Sequence, residues 1–166
     1  MKALVVYYSR TGTTKKVAEA ISKALGCDSE QILDVKSRKG VAGYMRSGKE
    51  GMKRLTTDIQ DTKKEPKDYE MVIIGTPIWG WNMSSPVRTY LENMKDRLPQ
   101  VAFFCTMGGQ GDDKAFREME DICHTVPKAK LALTTQVVNK NMFMDRVDYF
   151  VGKIKDGGKE AEEGPE

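Results

Sequence analysis

Residues 2–14, Lys2-Ala3-Leu4-Val5-Val6-Tyr7-Tyr8-Ser9-Arg10-Thr11-Gly12-Thr13-Thr14, govern the reading of the whole chain. From Ala3 to Tyr8 the run is apolar or aromatic without the polar alternation of a half-exposed strand, so a strand buried on both faces is expected. A hydroxyl-rich turn follows at once, and then Val17, Ala20, Ile21, Ala24 and Leu25 recur at helical spacing. Buried strand, short polar turn and amphipathic helix form the first half of a βαβ unit.

The same unit repeats along the chain. Further strands are expected at Ser29–Val35, Tyr69–Thr76, Gln100–Thr106 and Lys130–Val138. Helical periodicity returns in Val87, Tyr90, Leu91, Met94 and Leu98, in Ala115, Phe116, Met119, Ile122 and Cys123, and in Phe143, Val147, Phe150, Val151 and Ile154. Ser85 before Pro86 reads as an N-cap and first-turn pair, and Asp112-Asp113 puts negative charge where a helix N-terminus favours it. Parallel strands need crossover helices, and right-handed crossovers place helices on both faces. The expected fold is therefore α/β, a three-layer doubly wound sandwich around a five-stranded parallel sheet in the order 2-1-3-4-5. The stretch Ser37–Lys67 is too long for one loop and holds one expected helix, about Val41–Leu55.

At 166 residues the chain suits a single domain, expected over residues 1–155, with a disordered Gly- and Glu-rich tail over 156–166. Hydrophobic residues at 39% and charged residues at 31% exclude wholesale disorder. No apolar run approaches the roughly 18 residues of a membrane span, and no secretory signal is legible at the start. Cys27, Cys105 and Cys123 form no metal-ligand spacing, so a reduced, cytoplasmic setting without a metal is expected, with no membrane and no nucleic-acid partner. The net charge of +3 hides a division. The tail, with five acids and one Lys, carries −4, so the body carries +7; Lys36–Lys67, with ten bases and four acids, supplies +6 of that.

In an open parallel sheet, ligands bind beyond the carboxyl ends of the strands. The first end, Ser9-Arg10-Thr11-Gly12-Thr13-Thr14, is fit to cradle an anion, because helix N-termini offer free N–H groups and a partial positive charge; ordinary N-capping explains the same residues equally well. The third strand ends in Thr76-Pro77-Ile78-Trp79-Gly80-Trp81-Asn82, with both tryptophans of the chain in an expected loop, where they form either a hydrophobic lid or a stack on a flat ligand. The fourth ends in Thr106-Met107-Gly108-Gly109-Gln110-Gly111, which exposes backbone amides. In the order 2-1-3-4-5 these three ends share one crevice, suited to a ligand with a phosphate tail and a flat ring.

On these residues the chain resembles the flavodoxin family of FMN-binding proteins over about residues 1–155. Ser9-Arg10-Thr11-Gly12-Thr13-Thr14 is similar to the family's phosphate loop, and Gly75-Thr76-Pro77 with the following aromatics is similar to its first ring-binding loop. The resemblance implies that Ser9, Arg10, Thr11, Gly12, Thr13 and Thr14 hold the FMN phosphate. It implies that Thr76 to Asn82 flank the isoalloxazine and that Thr106 to Gly111 meet its pyrimidine edge. It further implies a peptide in the first ring loop that turns toward the flavin, for which Gly80 has no Cβ to resist a positive φ. One departure stands out: family members commonly stack an aromatic of the third loop on the ring, and Met107–Asp113 has none. Either a tryptophan of the second loop covers that face, or the face is open.

The expected function is low-potential electron transfer between redox partner proteins; the alternative is an FMN-dependent NAD(P)H:quinone or related oxidoreductase. No residue of the crevice offers itself as a general acid or base, which favours the carrier. The basic connector is expected to steer partners with acidic docking surfaces and to ease the second reduction. Gly43–Lys49 imitates a nucleotide P-loop but continues with Glu50 where a hydroxyl must ligate Mg²⁺. The expected role is a helix whose basic face borders the crevice, with Tyr44 and Arg46 free for a partner. His124 near a helix end and Cys105 in a strand read as structural.

Overall fold

In the computed structural model, which describes residues 1–156, the opening apolar run becomes β1 (Ala3–Tyr7), buried throughout, and the periodic stretch after it becomes α1 (Thr13–Leu25). Gly26, at φ 61°, closes α1 with a left-handed C-cap. The elements that follow are β2 (Asp28–Gln31), α2 (Gly40–Met52), β3 (Met71–Trp79), β4 (Asn82–Met83), α3 (Ser85–Met94), β5 (Gln100–Met107), α4 (Asp112–Cys123), β6 (Lys130–Thr134), α5 (Thr135–Asn139) and α6 (Met144–Lys155).

The parallel sheet runs β2-β1-β3-β5-β6, the order expected from the sequence, with β4 as a short antiparallel addition to β3. Strand residues alternate between two cores. Val5, Tyr7, Ile73 and Phe104 meet α1 and α6 through Val17, Ile21, Val147 and Phe150. Leu4, Val6, Ile74 and Phe103 meet α3 and α4 through Val87, Tyr90, Phe116 and Met119. The central strands β1, β3 and β5 are thus buried on both sides, as their unbroken apolar runs require, whereas the edge strands β2 and β6 are partly exposed. Gly75 is needed where it stands, because a Cβ there would lie 2.0 Å from the Phe104 ring on the neighbouring strand. Among the described residues no helix is long and apolar enough to cross a membrane. The expected acidic tail lies outside the described residues beyond Asp156.

Three elements differ from the sequence reading, each for a local reason. The strand expected at Ser29–Val35 pairs with β1 only over Asp28–Gln31. Its second half turns to the connector instead: Val35 N–H donates to Asp58 O (3.1 Å) and Gln60 N–H to Leu33 O (2.8 Å). The last strand stops at Thr134, whose hydroxyl accepts the Val137 N–H and caps α5, so the apolar Val137 and Val138 belong to a helix. The cap of α3 is Ser84 rather than Ser85, which is already helical ahead of Pro86.

Candidate functional site

The β1–α1 turn is built around Gly12, whose φ of 100° is accessible to glycine with little cost. Ser9 Oγ accepts the Gly12 N–H at 3.0 Å and tightens the turn. With glycine as the N-cap, no side chain caps α1 among the described residues, so the orphan N–H groups of its first turn are left for a ligand. Thr14, 2% exposed, shares a 2.8 Å hydrogen bond between its Oγ1 and that of Thr106, which ties the first strand end to the end of β5. Arg10 donates to the Arg38 carbonyl at 3.2 Å and lies 5.4 Å from the centre of the Tyr44 ring.

The tryptophan segment is a tight hairpin rather than an open loop. β3 runs on to Trp79, which pairs with Asn82, and only Gly80 (φ 55°) and Trp81 (φ 62°) form the turn. Two successive left-handed residues match the twist of a two-residue hairpin. The hairpin separates the tryptophans. Trp79 is 8% exposed and meets Tyr8 edge-on at 5.4 Å between ring centres; Trp81 is 52% exposed at the tip. Thr76 Oγ1 accepts the Ser84 N–H at 2.9 Å and clamps the return of the chain onto β3.

Beside this hairpin stands α2, and it is inside out. Its buried residues are Gly43, Ser47 and Gly51, one small residue per turn, and they let backbones meet. A Cβ on Gly43 would lie 2.1 Å from the Arg38 carbonyl oxygen, and one on Gly51 would lie 2.0 Å from that of Trp79. Arg38, 4% exposed, fixes the helix in place. Its guanidinium pairs with Asp34 and Glu50, donates to Ser47 (3.2 Å) and Ser85 (3.0 Å), and lies 4.8 Å from the centre of the Trp79 ring. Buried charge is tolerated here because every partner is in place.

These elements enclose a cavity of about 840 Å³ at the carboxyl end of the sheet, within the size range of small-molecule sites. Arg10, Thr11, Thr13 and Thr14 line its first side, Pro77, Ile78, Trp79, Gly80 and Trp81 its second, and Thr106, Met107, Gly108, Gly109 and Gln110 its third. Of the residues singled out in the sequence, Ser9, Gly12, Thr76, Asn82 and Gly111 do not line it. Ser9 and Gly12 shape the first turn, Thr76 and Asn82 are buried in the hairpin, and Gly111, at φ 113°, caps α4.

A family model described as flavodoxin matches residues 2–154. The chain belongs to the flavodoxin family. Its fold is shared with a flavoprotein from Lactobacillus acidophilus solved in complex with FMN, at 23% identity, with 84% of this chain and 97% of that one covered and a TM-score of 0.68. A Fusobacterium nucleatum flavodoxin bound to flavin mononucleotide matches at 14% identity over 95% of this chain and 99% of that one, TM-score 0.62. The two-electron reduced Megasphaera elsdenii flavodoxin matches at 15% identity over 92% and 98%, TM-score 0.57.

Within this flavodoxin-family site, the helix expected to border the crevice forms a fourth wall, through residues the sequence reading did not assign to the ligand. Tyr44, Met45, Ser47, Gly48 and Met52 of α2 line the cavity, as does Thr135 at the start of α5, whose Oγ1 donates to Met107 O at 3.2 Å. The signal for α2 was present as Gly43, Ser47 and Gly51 at a spacing of four, which marks a helix face pressed onto backbone. Of the basic residues expected along the crevice, the arginines find carboxylates, Arg46 3.4 Å from Glu50, Arg54 2.8 Å from Glu118 and Arg38 in the buried cluster, whereas Lys49 and Lys53 stay exposed. The P-loop imitation is helical from Gly43 to Lys49. His124 is a left-handed C-cap, and burial pushes the Cys105 thiol pKa up, which leaves it an inert core residue.

Proposed function

We propose that this flavodoxin-family chain binds FMN in the cavity at the carboxyl end of its sheet and carries electrons between redox proteins. The observation that carries the reading is the meeting of an uncapped helix N-terminus with an aromatic wall and an amide-rich loop in one cavity. The residues fit the group. The α1 N-terminus offers N–H donors, with Thr11 and Thr13 beside them, where a phosphate is stabilised by both hydrogen bonds and the helix dipole. Trp79 and Trp81, with Met45 and Met52 of α2, offer apolar surface for a planar ring, and Gly108 and Gly109 let backbone amides approach a polar edge. FMN, when bound, supplies one- or two-electron transfer at the ring.

Among the described residues, no carboxylate, imidazole, lysine or thiol lines this cavity. Tyr44 is the one side chain of the lining with a titratable proton, and the lack of a carboxylate, imidazole, lysine or thiol beside it supports a carrier over a bond-making enzyme. The test compares FMN with riboflavin, which has the same ring and no phosphate. Loss of two or more charge-assisted hydrogen bonds should weaken riboflavin by about a hundredfold or more. Equal binding of the two would refute the phosphate site. Anaerobic mixing with NAD(P)H should leave the flavin spectrum oxidised; rapid bleaching would support the reductase alternative instead.

A further inference from the structure

We infer that the outer face of α2 is the docking surface for a redox partner whose own docking face is acidic around an apolar centre; this rests on the electron-carrier reading above. An ordinary surface helix buries its apolar stripe and exposes its polar one. α2 does the reverse. Val41, Met45 and Met52, at spacings of four and seven, lie on one helix face, and they are 77%, 68% and 59% exposed. Trp81 extends the patch from the hairpin tip, where the Gly80 Cβ position lies 2.7 Å from Met52 N. Contiguous apolar surface of this kind marks an interaction site.

The stripe is not explained by the cavity alone. Met45, Met52 and Trp81 belong to both the cavity wall and the outer surface, whereas Val41 does not line the cavity. A protein seated on the stripe therefore comes to rest at the mouth of the flavin site, where electron transfer needs it.

Charge selects the partner. Lys49 lies beside the apolar stripe and is exposed, and exposed Lys39 and Lys53 flank the two ends of the helix. The one carboxylate of α2, Glu50, is turned inward to Arg38 and Ser85, so it neutralises nothing on the outer face. Arg46 is held by Glu50, whereas Glu118 is shared between buried Arg88 and exposed Arg54, which leaves Arg54 and the lysines as the uncompensated charges. Asp112 and Asp113 open α4 on the third-loop side of the mouth and place negative charge there. An acidic face is drawn to the α2 lysines from a distance, and the apolar stripe holds it once docked.

The probe is ferric cytochrome c in two forms, native and basic, or succinylated on its lysines and acidic. The photoreduced, FMN-loaded chain gives one electron to each ferric haem, which becomes ferrous. At low ionic strength the acidic form should react about tenfold faster or more, and added salt should close the gap. Lys49→Glu with Lys53→Glu should abolish the preference while leaving FMN affinity unchanged. Faster reaction with native cytochrome c, or a preference insensitive to salt, would overturn the inference. A second arm needs no flavin: amide NMR shifts caused by ferrous succinylated cytochrome c should map to residues 39–53 and 79–82, and shifts centred elsewhere would count against it. If FMN fails to bind but this map holds, the cofactor reading fails and the docking surface stands. Two other occupants are tested directly: co-sedimentation with anionic phosphatidylserine vesicles, or concentration-dependent dimerisation lost in Val41→Ser, would each overturn the assignment to a protein partner.

Discussion

Two glycines three residues apart on α2 should respond to alanine with opposite signs. At Gly51 a Cβ would stand 2.0 Å from the carbonyl oxygen of Trp79, 2.6 Å from its carbon and 2.7 Å from its Cβ. Those atoms belong to a strand end fixed by pairing with Asn82, so the helix must give way. Ordinary contact begins near 3.4 Å, so α2 must retreat by about 1.4 Å, the difference from 2.0 Å. Overpacking against a fixed neighbour costs about 1–3 kcal/mol, and at the penultimate helical residue the helix-propensity gain of alanine offsets only part of it. At Gly48 a Cβ meets nothing within 4 Å, so Gly48→Ala should stabilise by about 0.5–1 kcal/mol through the reduced entropy of the unfolded chain. Urea unfolding of the flavin-free protein measures both, with unchanged m-values as the check on two-state behaviour. Gly51→Ala should also weaken FMN by about tenfold, because Trp79 and Gly80 move with the contact. A Gly51→Ala protein as stable as Gly48→Ala would refute the close approach of α2 to β3.

Removing the buried cation by Arg38→Met should cost about 3–5 kcal/mol, since Asp34 and Glu50 are left facing each other without it; the triple variant with Asp34→Asn and Glu50→Gln should recover a large part, and unfolding midpoints that fail to recover would argue against the cluster. Thr14→Val leaves the buried Thr106 hydroxyl without its 2.8 Å partner and should cost about 1–3 kcal/mol, whereas adding Thr106→Val should cost less than the sum of the two single changes in a double-mutant cycle. Burial first, and then the charge of Asp34, pushes the Tyr8 pKa from 10.0 to about 12. A raised folded-state pKa contributes stability that is complete below pH 10.0 and lost as pH rises through about 12, so stability should fall across that window, and less steeply in Tyr8→Phe.

The fold was legible because both faces of the sheet are covered, which forces unbroken apolar runs such as Ala3–Tyr8 and Met71–Ile74 that no half-exposed strand would show. The site was legible where backbone chemistry dictates the residue: Gly12 at φ 100° and Gly111 at φ 113° open helices at strand ends, and both stood out as glycines in polar turns. What stayed hidden depends on contacts between segments distant in sequence. The sequence reading expected a helix there with its basic face along the crevice and did not single out its apolar stripe of Val41, Met45 and Met52, which the hydrophobic effect alone would bury. The structure shows a competing force. Gly43, Ser47 and Gly51 admit the backbone of β3 and of Arg38 so closely that the inner face is settled by backbone contact and by one buried guanidinium. An apolar stripe left in water on a helix that also walls the cavity is a standing cost, and the fold retains it beside the mouth of the site where a partner would relieve it. The same logic reinterprets the basic connector. Its excess of +6 is a sum over residues of which Arg38 and Arg46 are compensated by Asp34 and Glu50, while Lys39, Lys49, Lys53 and Arg54 keep their charge around α2 and Lys63, Lys64 and Lys67 lie further along the connector, so sequence counting alone could not assign the field a direction.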